Sequence, residues 1–209
     1  MRHTGTLTLT TRRLVLRRLL PDDAAQMYAG WASDPAVTRW LRWAPHRSPE
    51  ETRQLLTAWA PLYANADYYQ WAVTDRETGE VFGSISLFES PLRALGGGPE
   101  VWRTPGLDLT GSAWEAGYCL SRARWGQGFA TEALQAVVDH WFAAVGGSWL
   151  ACGHARENHA SGRVMRHAGF CYDHEAVYHK FDGTPVPCRV YCLPQAVWAA
   201  GRQAPPPHP

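Results

Sequence analysis

The sequence has no apolar run long enough to cross a bilayer, which takes about 20 residues, and its N-terminus lacks the apolar stretch of a secretory signal. Both absences point to a cytoplasmic protein with no membrane partner. An excess of charge is also missing: 20 Lys and Arg against 19 Asp and Glu leave a formal net charge of +1. A dedicated nucleic-acid binder would carry a basic stripe, so no nucleic-acid partner is expected. Cysteine is sparse and irregular. The five, at positions 119, 152, 171, 188 and 192, are odd in number and form no CxxC pair. Cys188 and Cys192 are spaced CxxxC with no histidine motif nearby, so reduced, packed thiols are expected rather than a metal site. No cysteine sits in a Cys–His pattern, which leaves no evident covalent nucleophile. There is no internal repeat.

What the sequence does hold is a substantial core. The 209 residues, 45% of them hydrophobic, suit one domain over residues 1–203, and Ala204-Pro-Pro-Pro-His-Pro209 reads as a disordered Pro-rich tail. Five of the 11 tryptophans, at 31, 40, 43, 59 and 71, fall in the first third. Most should supply core area; the others are candidates to wall a cleft, where an indole face also attracts cations.

Leu7 to Leu16 reads as a first strand, and Pro21-Asp-Asp23 opens a helix to about Ala32. Asp34-Pro35 breaks it, a short helix follows to about Trp43, and Ser48 with Glu51 has capping-box spacing for a third. Tyr69–Thr74 and Glu80–Phe88 alternate as strands around Arg76-Glu-Thr-Gly79. From Glu89 to Ala113 the periodicity fails, and Gly96-Gly-Gly-Pro99 and Thr104-Pro-Gly106 predict a long surface loop. Its apolar residues, Trp102 among them, suit folding over a cleft or a partner subunit, with an influence on acceptor choice; a mobile insertion without a role is the alternative. A strand over 116–121, a helix over 131–145, a strand over 148–154, a hairpin over 171–193 and a helix around 195–202 complete an α+β pattern with a mostly antiparallel sheet.

The densest signal is Arg124-Trp-Gly-Gln-Gly-Phe-Ala-Thr-Glu-Ala133. Glycines between a strand and a helix let the backbone approach a ligand, and free amides at a helix start suit a phosphate; a purely structural tight turn would use the same residues. A second motif, Arg156-Glu-Asn-His-Ala-Ser-Gly-Arg-Val-Met-Arg-His-Ala-Gly-Phe170, is a short amphipathic helix with a glycine stop. Asn158 is a good N-cap there, and Ser161 follows almost one turn later.

The two motifs, in this order, resemble those of the GNAT superfamily of acyl-CoA N-acyltransferases. Thr11-Arg-Arg-Leu-Val-Leu-Arg-Arg-Leu-Leu-Pro-Asp-Asp23 and Asp34-Pro-Ala-Val-Thr-Arg39 are similar to the RimJ/RimL branch. The resemblance implies a GNAT-type fold, a mostly antiparallel splayed sheet flanked by helices, and acetyl-CoA as acyl donor with no metal. It assigns the pyrophosphate to amides of Gly126, Gln127, Gly128, Phe129, Ala130 and Thr131, and the pantetheine arm to amides of Tyr118, Cys119, Leu120 and Ser121 and to Asn158. Trp125 stands where the family has Gln or Arg, so Arg124 is the candidate to supply charge instead. Ser161 is implied as proton donor to the leaving thiolate, with water or Tyr178 as substitutes. Glu115 and His179 are candidate bases, alongside Glu157 or a water chain. The implied reaction is direct attack by a primary amine, of a small molecule or a peptide N-terminus, in a ternary complex; a homodimer is compatible. The alternative is a non-catalytic acyl-CoA-binding module.

Overall fold

The computed structural model describes residues 1–203; the proline-rich tail lies outside the described residues. Eight strands form one sheet: β1 (Leu9–Thr10), β2 (Leu14–Arg18), β3 (Tyr69–Asp75), β4 (Val81–Pro91), β5 (Ser112–Leu120), β6 (Trp149–Ala155), β7 (Cys171–His179) and β8 (Pro185–Pro194). Their spatial order is β1-β2-β3-β4-β5-β6-β8-β7. Every neighbouring pair is antiparallel except β5 and β6, which run parallel.

The helices divide between the two faces. On one, α4 (Phe129–His140) and α5 (His159–His167) cover the largest core cluster, with Leu134, Val137 and Trp141 packed on Leu16, Trp71 and Leu150. On the other, α1 (Ala24–Met27), α2 (Pro35–Thr38) and α3 (Pro49–Trp59) cover β3 and β4 through Met27, Trp31 and Leu56. The chain around α1 is helical from Pro21 to Ala32, the span its Pro-Asp-Asp start predicts. Ser48 Oγ caps α3 by accepting the Glu51 amide at 3.1 Å. α6 (Gln195–Gln203) ends the described chain. Among the described residues no helix is long and apolar enough to cross a membrane.

Residues 89–113 differ most from expectation. β4 runs on to Pro91 and β5 begins at Ser112, so the hairpin is longer and its connection shorter than the lost periodicity suggests. Residues 92–111 form no loose loop. Leu92, Leu95 and Trp102 are buried against Trp149, Val190 and Cys192, covering the half of the second face that α1–α3 leave bare. A buried carboxylate pins the segment: Asp173 accepts the amides of Arg103 at 3.1 Å and Thr104 at 2.8 Å. His174 lies 2.6 Å from Asp173 through Nδ1 and 2.7 Å from the Leu95 carbonyl through Nε2. Strand periodicity could not announce a segment that packs through isolated apolar side chains and a distant acid.

Candidate active site

The parallel junction of β5 and β6 is brief. The strands pair only at Glu115↔Ala151 and Ala116↔Cys152. β5 then runs four residues to Leu120 bound to β4 alone, while β6 follows β8 away. Unpaired strand edges expose amides that seek partners. Ser121 N–H donates to Phe82 C=O at 2.7 Å. Antiparallel alternation sends the Cys119 amide the same way and turns those of Tyr118 and Leu120 into the gap. Of the four amides assigned to the pantetheine arm, those of Cys119 and Ser121 are therefore spent on β4, and Tyr118 and Leu120 keep theirs free.

The glycine turn follows directly. Gly126 (φ +74°) and Gly128 (φ +80°) both hold left-handed backbone that favours glycine, and Gly128 is the N-cap of α4. The ladder of α4 opens with Glu132 N–H to Gly128 C=O at 3.0 Å, so the amides just before it point out of the helix start. Arg124 does not reach into this space. It pairs with Glu80 and, at 3.6 Å, with Asp75, and stacks on Phe82. Arg13 is the nearer cation. Its Nη1 donates to Gln127 C=O at 3.0 Å, and its Nε meets Glu132 at 2.6 Å. Together with Thr11, which donates to Glu132 at 2.6 Å, it braces the turn from the connection between β1 and β2.

Across the gap, Asn158 caps α5 by accepting the Ser161 amide at 3.3 Å. The cap uses its Oδ1, which leaves the side-chain NH₂ for a ligand. Ser161 Oγ lies 2.8 Å from the Tyr118 hydroxyl, which also donates to Ser161 C=O at 3.1 Å. Burial pushes the Tyr118 phenol well above its ordinary value of 10.0, so it stays protonated. This pairing of hydroxyls could not be read from the sequence, where Tyr118 counted only as backbone.

Glu115 points to the opposite face of the sheet. Alternation along the strands puts it beside Gly117 and Cys119 of β5 and Ser84, Ser86, Phe88 and Ser90 of β4. Ser90 Oγ donates to it at 3.0 Å, and it is 8% exposed. Burial raises its pKa above the ordinary 4.5, against opposing effects from the Arg42 guanidinium and the Ser90 bond. The β7–β8 hairpin closes this side: Tyr178 donates to Trp40 C=O at 3.1 Å, and Phe181 N–H to Arg42 C=O at 2.8 Å. His179, the other candidate base, is exposed and alternates with Tyr178, so the strand turns it away from this face. Glu157 is exposed as well. Ser90 and Arg42 are additions that no local motif signals; strand pairing and hairpin docking bring them to Glu115.

The two thiols at the gap, Cys119 and Cys152, are poor nucleophiles. Burial pushes Cys119 up to about 11 and raises Cys152, which donates to Ala116 C=O at 3.1 Å in the strand crotch. All five cysteines are unpaired. Among the described residues no group of three or more His, Cys, Asp or Glu side chains gathers to hold a metal.

A model of the acetyltransferase (GNAT) domain matches residues 13–171, which include both motifs and the splayed strands. The uncharacterized N-acetyltransferase YoaA of Bacillus subtilis is 28% identical over 191 residues, 88% of this chain and 95% of that protein. Among solved structures, the ribosomal-protein-S5-alanine acetyltransferase of Vibrio fischeri superposes with a TM-score of 0.65 at 20% identity, over 92% of this chain and 98% of its own. RimL, a ribosomal L7/L12 alpha-N-protein acetyltransferase solved with coenzyme A, gives 0.69 at 18% identity, over 90% and 98%. At these identities the two structures speak for the fold, which is the one the sequence resemblance implies. With its parted strands, its glycine turn and a family match over most of its length, the chain belongs to the GNAT family and is an acetyl-CoA-dependent acetyltransferase.

Proposed function

We propose that residues 1–203 act as one domain that transfers acetyl from acetyl-CoA to a primary amine by direct attack, with the thioester lying in the gap beyond Ala116 and Cys152. The observation that carries this reading is the two-sided gap: hydroxyls of Ser161 and Tyr118 on one face, the Glu115 carboxylate on the other. Acyl transfer needs a deprotonated amine, a stabilised oxyanion and a protonated leaving group, and these demands fall on opposite sides of the carbonyl.

In this reading the amides of Gly126 to Thr131 hold the pyrophosphate at the start of α4, with Arg13 close by. The amides of Tyr118 and Leu120 and the side chain of Asn158 align the pantetheine arm. Glu115 takes the proton of the incoming ammonium, directly or through water, for which a carboxylate of raised pKa is better suited than an ordinary one. The amine nitrogen then bonds to the carbonyl carbon and the C–S bond breaks. The thiolate receives its proton from Ser161, and the second proton that the nitrogen releases as the amide forms is returned through water to the Tyr118–Ser161 hydroxyl pair, 2.8 Å apart. Direct attack agrees with thiols held protonated by burial. A depression of about 270 Å³ lies near the strand ends, lined by Ser86 and Phe88 of this face together with Tyr69, Leu87 and Trp114 of the other.

The test is a screen of amine acceptors that follows free-thiol release from acetyl-CoA, repeated with Glu115→Gln and Ser161→Ala. The reading requires an acceptor whose turnover both variants reduce while acetyl-CoA affinity stays within about threefold. Unchanged kcat in both would remove Glu115 and Ser161 from the chemistry.

A further inference from the structure

Among the described residues, Arg42 is a half-buried cation without an ion-pair partner. It sits in the connection between α2 and α3, half-buried, and the hairpin bond from Phe181 N–H to its carbonyl fixes its backbone. Its guanidinium lies over the Tyr178 ring, 5.5 Å from the centroid. None of the ion pairs among the described residues includes it. Eight of the 19 arginines, Arg13, Arg17, Arg53, Arg122, Arg124, Arg156, Arg189 and Arg202, each meet a carboxylate within 4 Å; of the 11 that do not, ten are exposed and Arg42 alone is half-buried. The charge of Arg42 acts instead on the Glu115 face, where it counters the burial-driven rise of Glu115, Tyr178 and Cys188.

A half-buried guanidinium gives up part of its hydration and recovers it only through a planar anion or a stacked ring. Tyr178 supplies the ring and leaves the N–H fork unused. Glu115 is already bonded to Ser90. A positive charge beside the base also repels an ammonium acceptor, so a polycation would meet a penalty here. An acceptor that brings its own anion turns that penalty into attraction.

We propose that Arg42 binds a carboxylate of the acceptor, and that the acceptor class is therefore a small amine carrying a carboxylate, as in a free amino acid. This rests on the acceptor face proposed above. The carboxylate would dock against the Arg42 fork beside Tyr178, leaving the amino group toward Glu115. Neutralising Arg42 in this way also withdraws its acidifying effect on Glu115 and makes the base stronger once the correct acceptor is bound.

The experiment compares kcat/KM, referred to the neutral amine, for free amino acids and their carboxamides, with spermidine and short peptides as further arms. The wild type should favour the carboxylate member of its best pair by roughly tenfold or more, the size of one charge-assisted bond. Arg42→Gln should erase that preference, and Arg42→Lys, which keeps the charge without the fork, should retain part of it. Calorimetry of the preferred amino acid onto the CoA-saturated enzyme should show binding that Arg42→Gln weakens by a similar factor. Carboxamides, peptides or spermidine turned over as well as the amino acids, or a preference untouched by Arg42→Gln, would overturn the inference and leave the acetyltransfer reading standing. Acetyl-CoA binding without acetylation of any amine in the panel would overturn both.

Discussion

The two faces of the β5–β6 gap are built by different means. On the α4/α5 face, contiguous sequence does the work: residues 118–131 run from strand edge through glycine turn to helix start, and residues 158–161 form one cap. In the proposed function its binding groups are mostly backbone amides, which many side chains can frame. On the other face, Arg42, Ser90, Glu115 and Tyr178 come from four separate segments and meet only through tertiary pairing. In the proposed function the chemistry falls to these side chains: the thioester, common to many enzymes, would be met by backbone, and an acceptor peculiar to one enzyme by side chains that can vary freely.

Breaking the backbone-built side should have the largest effect. Gly128→Glu forces a left-handed residue to carry a side chain beside Arg13, whose guanidinium lies 3.4 Å from where a Cβ would sit. Acetyl-CoA binding should vanish in calorimetry. The strain, about 1–2 kcal/mol, should lower Tm by no more than roughly 8 °C. Breaking the side-chain-built face should leave binding and remove turnover. Glu115→Gln is expected to reduce kcat/KM for the acceptor by roughly a hundredfold or more, with acetyl-CoA affinity unchanged.

The third break is structural. Asp173→Asn leaves the amides of Arg103 and Thr104 and the His174 ring without the buried carboxylate they share. Losing a charged acceptor from such a cluster costs about 1–3 kcal/mol, and thermal unfolding should fall by roughly 2–12 °C. The folded carboxyl titrates below its ordinary 3.8, chiefly because its hydrogen bonds outweigh burial. This stabilisation is therefore full above that value and is lost as the pH falls through the lower folded value. The same packing implies that replacing residues 92–110 by a short turn unfolds the region rather than adjusting acceptor choice. Ser161→Ala, with a smaller effect, should cut kcat about tenfold and leave acetyl-CoA affinity nearly unchanged. The subtlest is a titration: removing the Arg42 charge by Arg42→Gln should move the acid limb of the acceptor pH–rate profile to higher pH, because that cation favours the Glu115 carboxylate.

What could be read in the sequence follows the same division. The glycine turn, the Asn158 cap and the helix starts at Pro21 and Ser48 depend on near neighbours, and the structure forms each of them. Glu115 is singled out in the sequence by its position before the motif strand, but its bond to Ser90 depends on a strand register set 25 residues away. His179 lies away from the Glu115 face because a one-residue step along a strand reverses the face, and Tyr178 takes the inner position. Residues 92–111 looked like a loop because Asp173 and His174, which hold them, lie some 70 residues on.

The division between the faces is tested most directly by amide hydrogen exchange with and without saturating coenzyme A. The account predicts slowed exchange at Tyr118, Leu120, Gly126–Thr131 and the first turn of α5, with the Trp40–Arg42 connection and the β7–β8 hairpin unaffected. Protection concentrated in that connection and hairpin, with residues 126–131 unchanged, would contradict it.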